Sequence, residues 1–128
     1  MLFNWYPGCT TCQKARKWLD ENGLSYTARH IRDEQPTLAE LTEWHRLSGL
    51  PLKRFFNTSG KLYAEYGLKD KLPAMSEAEL LALLASDGML VKRPILVTED
   101  AVLVGFKPAE WAAALLKTCF SRYIPHFP

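Results

Sequence analysis

The sequence has little of what marks secreted, membrane-spanning or nucleic-acid-binding proteins. Its three cysteines are odd in number and too few for a disulfide scaffold, which favours a reduced, cytoplasmic protein. There is no signal peptide pattern and no run of about 18 apolar residues, so we expect no membrane partner. The net charge is only +2, with 16 Lys and Arg mixed among 14 Asp and Glu. This mixture predicts no direct contact with nucleic acid.

What is present is an ordinary globular composition, 48% apolar and 23% charged. A chain of 128 residues fits one domain, which we take to be residues 1–128. Leu2–Tyr6 is typical of a strand ended by a turn, and the spacing from Thr10 predicts a helix that stops at Gly23. Leu24–Ile31 alternates like a second strand. Strand, helix and strand in this order predict a parallel pair.

The middle of the chain, about residues 36–90, is predicted to be helical. Thr37 with Glu40 and Ser76 with Glu79 form two capping boxes. Between them, residues 52–68 indicate two short helices around a polar turn. Residues 93–106 then predict a β-hairpin, and residues 107–120 a final helix with a proline in its first turn. The pattern as a whole predicts an α/β fold.

The segment "YPGCTTCQKARKWL" places Cys9 and Cys12 three residues apart, and three interpretations compete. A zinc site needs four ligands, and a single Cys-x-x-Cys supplies two. The other candidate ligands have no paired spacing: Cys119, His30, His45 and His126. The pair could also be two buried, inert thiols. The third interpretation is a redox pair.

The position of Cys9 favours the redox interpretation. Cys9 lies where a strand-ending turn meets a helix start, and unpaired N–H groups there stabilise a thiolate, the reactive form of cysteine. Cys12 lies one turn further along the same helix and can displace a mixed disulfide formed at Cys9. We therefore predict that Cys9 is the nucleophile and Cys12 the resolving cysteine, with no metal bound.

The Tyr-Pro-x-Cys-x-x-Cys start, the helical middle, and Arg93-Pro94 before a hairpin and last helix resemble the arsenate reductase (ArsC) and Spx family. Within it, the chain is most similar to the Spx- and MgsR-like, arsenate-reductase-like bacterial branch. The resemblance implies a thioredoxin-like fold: a mixed sheet with an α-helical insertion between the second and third strands. It spans nearly the whole chain.

The resemblance also implies roles for individual residues. Cys9 matches the reactive cysteine, and Cys12 matches the second cysteine of the Spx-type redox switch. Arg93 matches an arginine that holds an oxyanion, and Pro94 is expected to be cis and to pack beside the cysteine loop. Asn57 and Lys107 stand where arsenate reductases carry further arginines. We therefore expect arsenate reduction to be weak or absent.

Two functions remain open at this point. The first is a thiol–disulfide oxidoreductase with no bound cofactor, reduced by glutathione, glutaredoxin or thioredoxin. The alternative is a redox-sensing transcriptional regulator that binds RNA polymerase and uses the Cys9–Cys12 pair as its switch.

Overall fold

The computed structural model describes residues 1–116. The last part of the predicted final helix, Cys119 and His126 lie outside the described residues. The described part is built on a four-stranded sheet in the order β2-β1-β3-β4. Its strands are β1 (Leu2–Trp5), β2 (Thr27–His30), β3 (Ile95–Val97) and β4 (Val102–Val104).

The predicted parallel pair is confirmed. β1 and β2 run parallel, with Leu2 opposite Thr27, and are joined by α1 (Thr10–Glu21). β2 begins at Thr27, three residues later than predicted. The reason is that Leu24 is still hydrogen-bonded to the end of α1: it follows a glycine with φ +65° at residue 23, and its N–H donates to the carbonyl of Leu19. β3 pairs antiparallel with β1 on one side and with β4 on the other. The β3–β4 pair confirms the predicted hairpin, and the sheet is mixed because it contains both parallel and antiparallel pairs.

The segment between β2 and β3 is helical, as predicted, and both capping boxes form. Residues 52–68 contain the two short helices predicted around the polar turn, and a further helix begins at Leu68 after the turn at Gly67. The segment comprises α2 (Leu38–Ser48), a 3₁₀ turn (Leu52–Phe55), α3 (Lys61–Glu65), α4 (Leu68–Lys71), a 3₁₀ turn (Leu72–Ala74), α5 (Glu77–Ser86) and a 3₁₀ turn (Gly88–Leu90).

The chain then returns through β3 and β4 to α6 (Pro108–Trp111), which continues as a π-helical turn over Ala112–Leu116. The predicted final helix is therefore confirmed at its start but changes its hydrogen-bonding pattern after one turn. Within residues 1–116, no helix is long and apolar enough to cross a membrane.

Each face of the sheet has its own core, because successive side chains of a strand point to opposite faces. On one face, Phe3 and Leu96 pack with Ala15 and Leu19 of α1 and Trp111 of α6. On the other face, the strands pack against the helical segment; this core contains Ile95, Val102, Leu41, Trp44, Phe55, Leu84 and Leu90. The loop between β1 and α1 lies at the end of this sheet and carries Cys9, while Cys12 lies in the first turn of α1.

Candidate active site

Cys9 is the N-cap of α1. Its backbone is extended (φ −92°, ψ 117°), and its Sγ accepts a hydrogen bond from the Cys12 N–H at 3.4 Å. The Cys9 N–H donates to the Tyr6 carbonyl at 3.0 Å, which closes the turn before the helix. The sulfur is half-buried. An N-cap sulfur beside the unpaired N–H groups of a helix start is well placed to carry negative charge.

Cys12 has the opposite environment. It is fully buried, and the pKa of its thiol is raised from the ordinary 9.0 to about 12, with burial as the largest cause. A hydrogen bond with the Cys9 side chain and the negative charge that Cys9 can carry contribute to this rise, whereas a backbone hydrogen bond from Tyr6 and the positive charge of Arg93 oppose it. Both cysteines are free thiols in this structure. The pair is therefore asymmetric, with one accessible sulfur and one that stays protonated at neutral pH.

Tyr6 connects the loop of residues 6–9, which we call the cysteine loop, to Arg93. The Arg93 guanidinium carbon lies 5.2 Å from the centre of the Tyr6 ring, and its Nη1 donates to the Met89 carbonyl at 3.4 Å. The His30 ring packs edge-on against the same tyrosine, with ring centres 5.4 Å apart. A Cβ on Gly8 would lie 2.9 Å from the Tyr6 ring, so a glycine is needed at this close approach. The tyrosine ring thus packs between the loop and the arginine.

The peptide bond between Arg93 and Pro94 is cis, as the resemblance implies, and Pro94 is buried. Arg93 lies two residues before β3 and is half-buried, and its positive charge lowers the pKa of Cys12.

Arg93 also lines a cleft of about 470 Å³, which we call the basic cleft. Five of the described residues that line it are cationic and none is acidic. The cationic residues are Lys53, Arg54, Lys92, Arg93 and Lys107; the others are Thr11, Phe56, Thr58, Val104, Gly105 and Phe106.

The basic cleft is formed by backbone pairing between two distant segments. Phe56 and Val91 form an isolated antiparallel bridge, and the Lys92 N–H donates to the Phe55 carbonyl at 2.7 Å. Each segment carries two adjacent basic residues next to this bridge, Lys53-Arg54 on one side and Lys92-Arg93 on the other. Pairing of the segments therefore concentrates four cationic side chains at one place.

The structure brings together some of the site residues predicted from the sequence. Arg93 and Lys107 both line the basic cleft, whereas Asn57 does not, although its two neighbours in the chain do. The Asn57 backbone is used structurally: its N–H donates to Leu90 at 2.8 Å, and its carbonyl accepts from Gly60 at 3.0 Å.

Sequence reasoning missed Lys53, Arg54 and Lys92. The only available signal was their occurrence as neighbouring basic pairs, which exposed surfaces also show. Within residues 1–116, no group of three His, Cys, Asp or Glu side chains could hold a metal ion.

A half-buried cysteine at a helix start, a mixed sheet and a cis peptide bond before Pro94 together define a thiol-containing α/β protein. The model of the ArsC family matches residues 4–114. The chain therefore belongs to the ArsC family.

Known relatives agree with this assignment. The chain is 53% identical over 107 residues to the uncharacterised protein YusI of Bacillus subtilis strain 168, which covers 84% of this chain and 91% of YusI. It is 30% identical over 110 residues to the regulatory protein MgsR of the same strain, with 86% of each chain covered. A solved structure from Bacteroides fragilis, described as ArsC family related, is 62% identical with a TM-score of 0.85 and covers 86% of this chain and 92% of its own.

These similarities confirm the thioredoxin-like α/β fold that the resemblance implies. They also show that the chain has relatives with a regulatory name, so membership of the family does not by itself decide between an enzyme and a regulator.

Proposed function

We propose that this protein is a cytoplasmic thiol–disulfide oxidoreductase in which Cys9 is the nucleophile and Cys12 the resolving cysteine. The observation that carries the proposal is the asymmetry of the pair. Cys9 is accessible at the N-cap of α1 with its Sγ 3.4 Å from the Cys12 N–H, while Cys12 is buried beneath it with its pKa raised to about 12.

The reaction takes place in two displacements. The Cys9 thiolate attacks one sulfur of a disulfide R–S–S–R′, forms a Cys9–S–S–R bond, and releases R′S⁻. The Cys12 thiol then loses its proton to the released thiolate or to water and attacks the Cys9 sulfur, which releases RS⁻. The substrate disulfide gains two electrons, and the protein is left with a Cys9–Cys12 disulfide.

The raised pKa of Cys12 sets the order of these steps. A buried, protonated thiol cannot compete with Cys9 for the incoming disulfide. Formation of the mixed disulfide removes the negative charge that Cys9 can carry, which is one of the lesser causes of the raised pKa, and so makes Cys12 a better nucleophile at this second step. An external thiol then has to reduce the Cys9–Cys12 disulfide, and glutathione, glutaredoxin and thioredoxin are the donors to be compared.

A second candidate function is a redox-sensing regulator that binds RNA polymerase. It is favoured by the 30% identity to the regulatory protein MgsR, together with the second cysteine at position 12. In this alternative the same Cys9–Cys12 disulfide forms, but its effect is on partner binding rather than on a substrate.

Two measurements distinguish the two candidate functions: turnover of a disulfide substrate and capture of RNA polymerase. Reduction of bis(2-hydroxyethyl) disulfide is followed with each of the three donors for the unmodified protein, Cys9→Ser and Cys12→Ser. RNA polymerase capture is measured with the reduced and the oxidised protein. We expect turnover that Cys9→Ser abolishes, with no redox-dependent capture. Absence of turnover with every donor, together with capture in only one redox state, would instead establish the regulator.

A further inference from the structure

Beyond the cysteine pair, the strongest unassigned feature of the molecule is the uncompensated positive charge of the basic cleft. None of its five cationic side chains forms an ion pair within residues 1–116, although other arginines do: Arg29 binds Glu40 through both carboxylate oxygens, and Arg46 pairs with Glu43. What distinguishes the basic cleft is therefore that five cationic side chains and no acidic one, among the described residues, line the same place.

The size of the basic cleft indicates a small molecule. Pockets that bind small ligands usually enclose about 300–1,000 Å³, and the 470 Å³ found here lies within that range. A single tetrahedral oxyanion is much smaller and would contact only part of the lining. Lys92 and Arg93 are half-buried, whereas Lys53, Arg54 and Lys107 are exposed at the rim, so the charges surround the cleft at different depths.

Two lining residues connect the basic cleft with the cysteine pair. Thr11 lies between Cys9 and Cys12 in the first turn of α1, and Arg93 lowers the pKa of Cys12 by its charge. Neither cysteine lines the cleft, but a ligand whose anionic end occupies it can extend past Thr11 and Arg93 towards Cys9.

We propose that the basic cleft binds small thiols and disulfides through an anionic end that carries at least two net negative charges, with phosphate groups as the best match. This inference rests on the proposed function and names its substrate class. A thiol of net charge −1, such as glutathione, would leave most of the five cationic groups unmatched. Arginine and lysine side chains both bind phosphate through charge-assisted hydrogen bonds, and the hydroxyls of Thr11 and Thr58 add further donors.

The test measures binding without chemistry. S-methyl coenzyme A and S-methylglutathione, which carry phosphate and carboxylate groups respectively, are titrated by calorimetry into the full-length Cys9→Ser protein. We expect S-methyl coenzyme A to bind at least about tenfold more tightly at low salt, and its affinity to fall with rising ionic strength because exposed charges are screened. Inorganic pyrophosphate should compete with it.

Charge-reversal variants locate the binding site. Arg54→Glu and Lys92→Glu should each weaken binding of S-methyl coenzyme A by about tenfold or more. The matched control is Lys69→Glu, an equal charge change at an exposed residue of α4 outside the cleft, and should change the affinity less than about twofold. Three results would each overturn the proposal: equal affinity for the two probes, equal effects of Lys69→Glu and Lys92→Glu on that affinity, or an acidic decapeptide that binds more tightly than S-methyl coenzyme A.

Turnover of the neutral bis(2-hydroxyethyl) disulfide distinguishes this inference from the proposed function. That turnover is measured on the unmodified protein, and the thermal unfolding transition of Lys92→Glu and Arg54→Glu, which we expect to match that of the unmodified protein, shows that the two variants fold. Normal turnover without binding of the phosphate probe would refute the substrate class alone, whereas binding without turnover would refute the oxidoreductase.

Discussion

The buried Cys12 thiol predicts that the protein loses stability at alkaline pH in a way that Cys12→Ala removes. In the folded protein the pKa of Cys12 is about 12, above its ordinary value of 9.0. The unfolded chain therefore ionises first as the pH rises. The stabilisation from keeping this thiol protonated is complete below pH 9 and is lost progressively between pH 9 and pH 12.

The magnitude follows from the two pKa values. Raising the pH from 9 to about 10.5 lowers the free energy of unfolding by about 1.6 kcal/mol if the whole shift applies. Part of the shift comes from the negative charge that Cys9 can carry, and solvent screens the charge of this half-buried sulfur, so we expect a loss of about 1 kcal/mol. Alanine does not titrate, and as a good helix former it should keep α1 intact.

Urea unfolding of the unmodified protein and of Cys12→Ala, under a non-thiol reductant at several pH values, checks this. Comparing the two proteins at each pH cancels what they have in common, so the difference between the two curves reports on the Cys12 thiol. At neutral pH the variant should have a lower free energy of unfolding than the unmodified protein, because a core sulfur is lost. This difference in free energy should become smaller above pH 9. A difference in free energy that stays constant up to about pH 10.5 would refute the claim that Cys12 is buried and protonated in the folded protein.

Two further outcomes concern the chemistry of the site. Mild peroxide should produce a Cys9–Cys12 disulfide and leave Cys119 reduced, as judged by peptide mass mapping; a dominant link to Cys119 would contradict this. Arsenate turnover with glutathione and glutaredoxin should be weak, and Lys107→Arg, at a residue that lines the basic cleft, should gain activity, because an added charge-assisted hydrogen bond contributes about 1.5–3 kcal/mol to anion binding. Robust arsenate reduction by the unmodified protein would refute that expectation.

Local signals in the sequence were sufficient for most of the fold. The capping boxes at Thr37 and Ser76 and the hairpin turn at Thr98 depend on residues within four positions of each other, and all of them form in the structure. The position of Cys9 at the start of α1 is likewise fixed by the strand, turn and helix that follow one another in the chain.

The basic cleft could not be predicted, because it depends on contacts between segments far apart in the chain. The bridge between Phe56 and Val91 brings Lys53-Arg54 next to Lys92-Arg93, and no periodicity marks residues 56 and 91 as partners. The comparison with arsenate reductases directed attention to Asn57 and Lys107 and suggested a loss of charge. The fold supplies cationic side chains from other positions, which include a second arginine, Arg54.

The roles of Cys9 and Cys12 are tested most directly by trapping the mixed disulfide. Cys9→Ser and Cys12→Ser, each in a Cys119→Ser background, are mixed with bis(2-hydroxyethyl) disulfide at neutral pH and followed by intact-protein mass. Cys12→Ser should gain one mercaptoethanol adduct at Cys9, while Cys9→Ser stays unmodified over the same time. With both cysteines present, the protein should lose two hydrogens and carry no adduct. Faster adduct formation in Cys9→Ser than in Cys12→Ser would contradict the assignment.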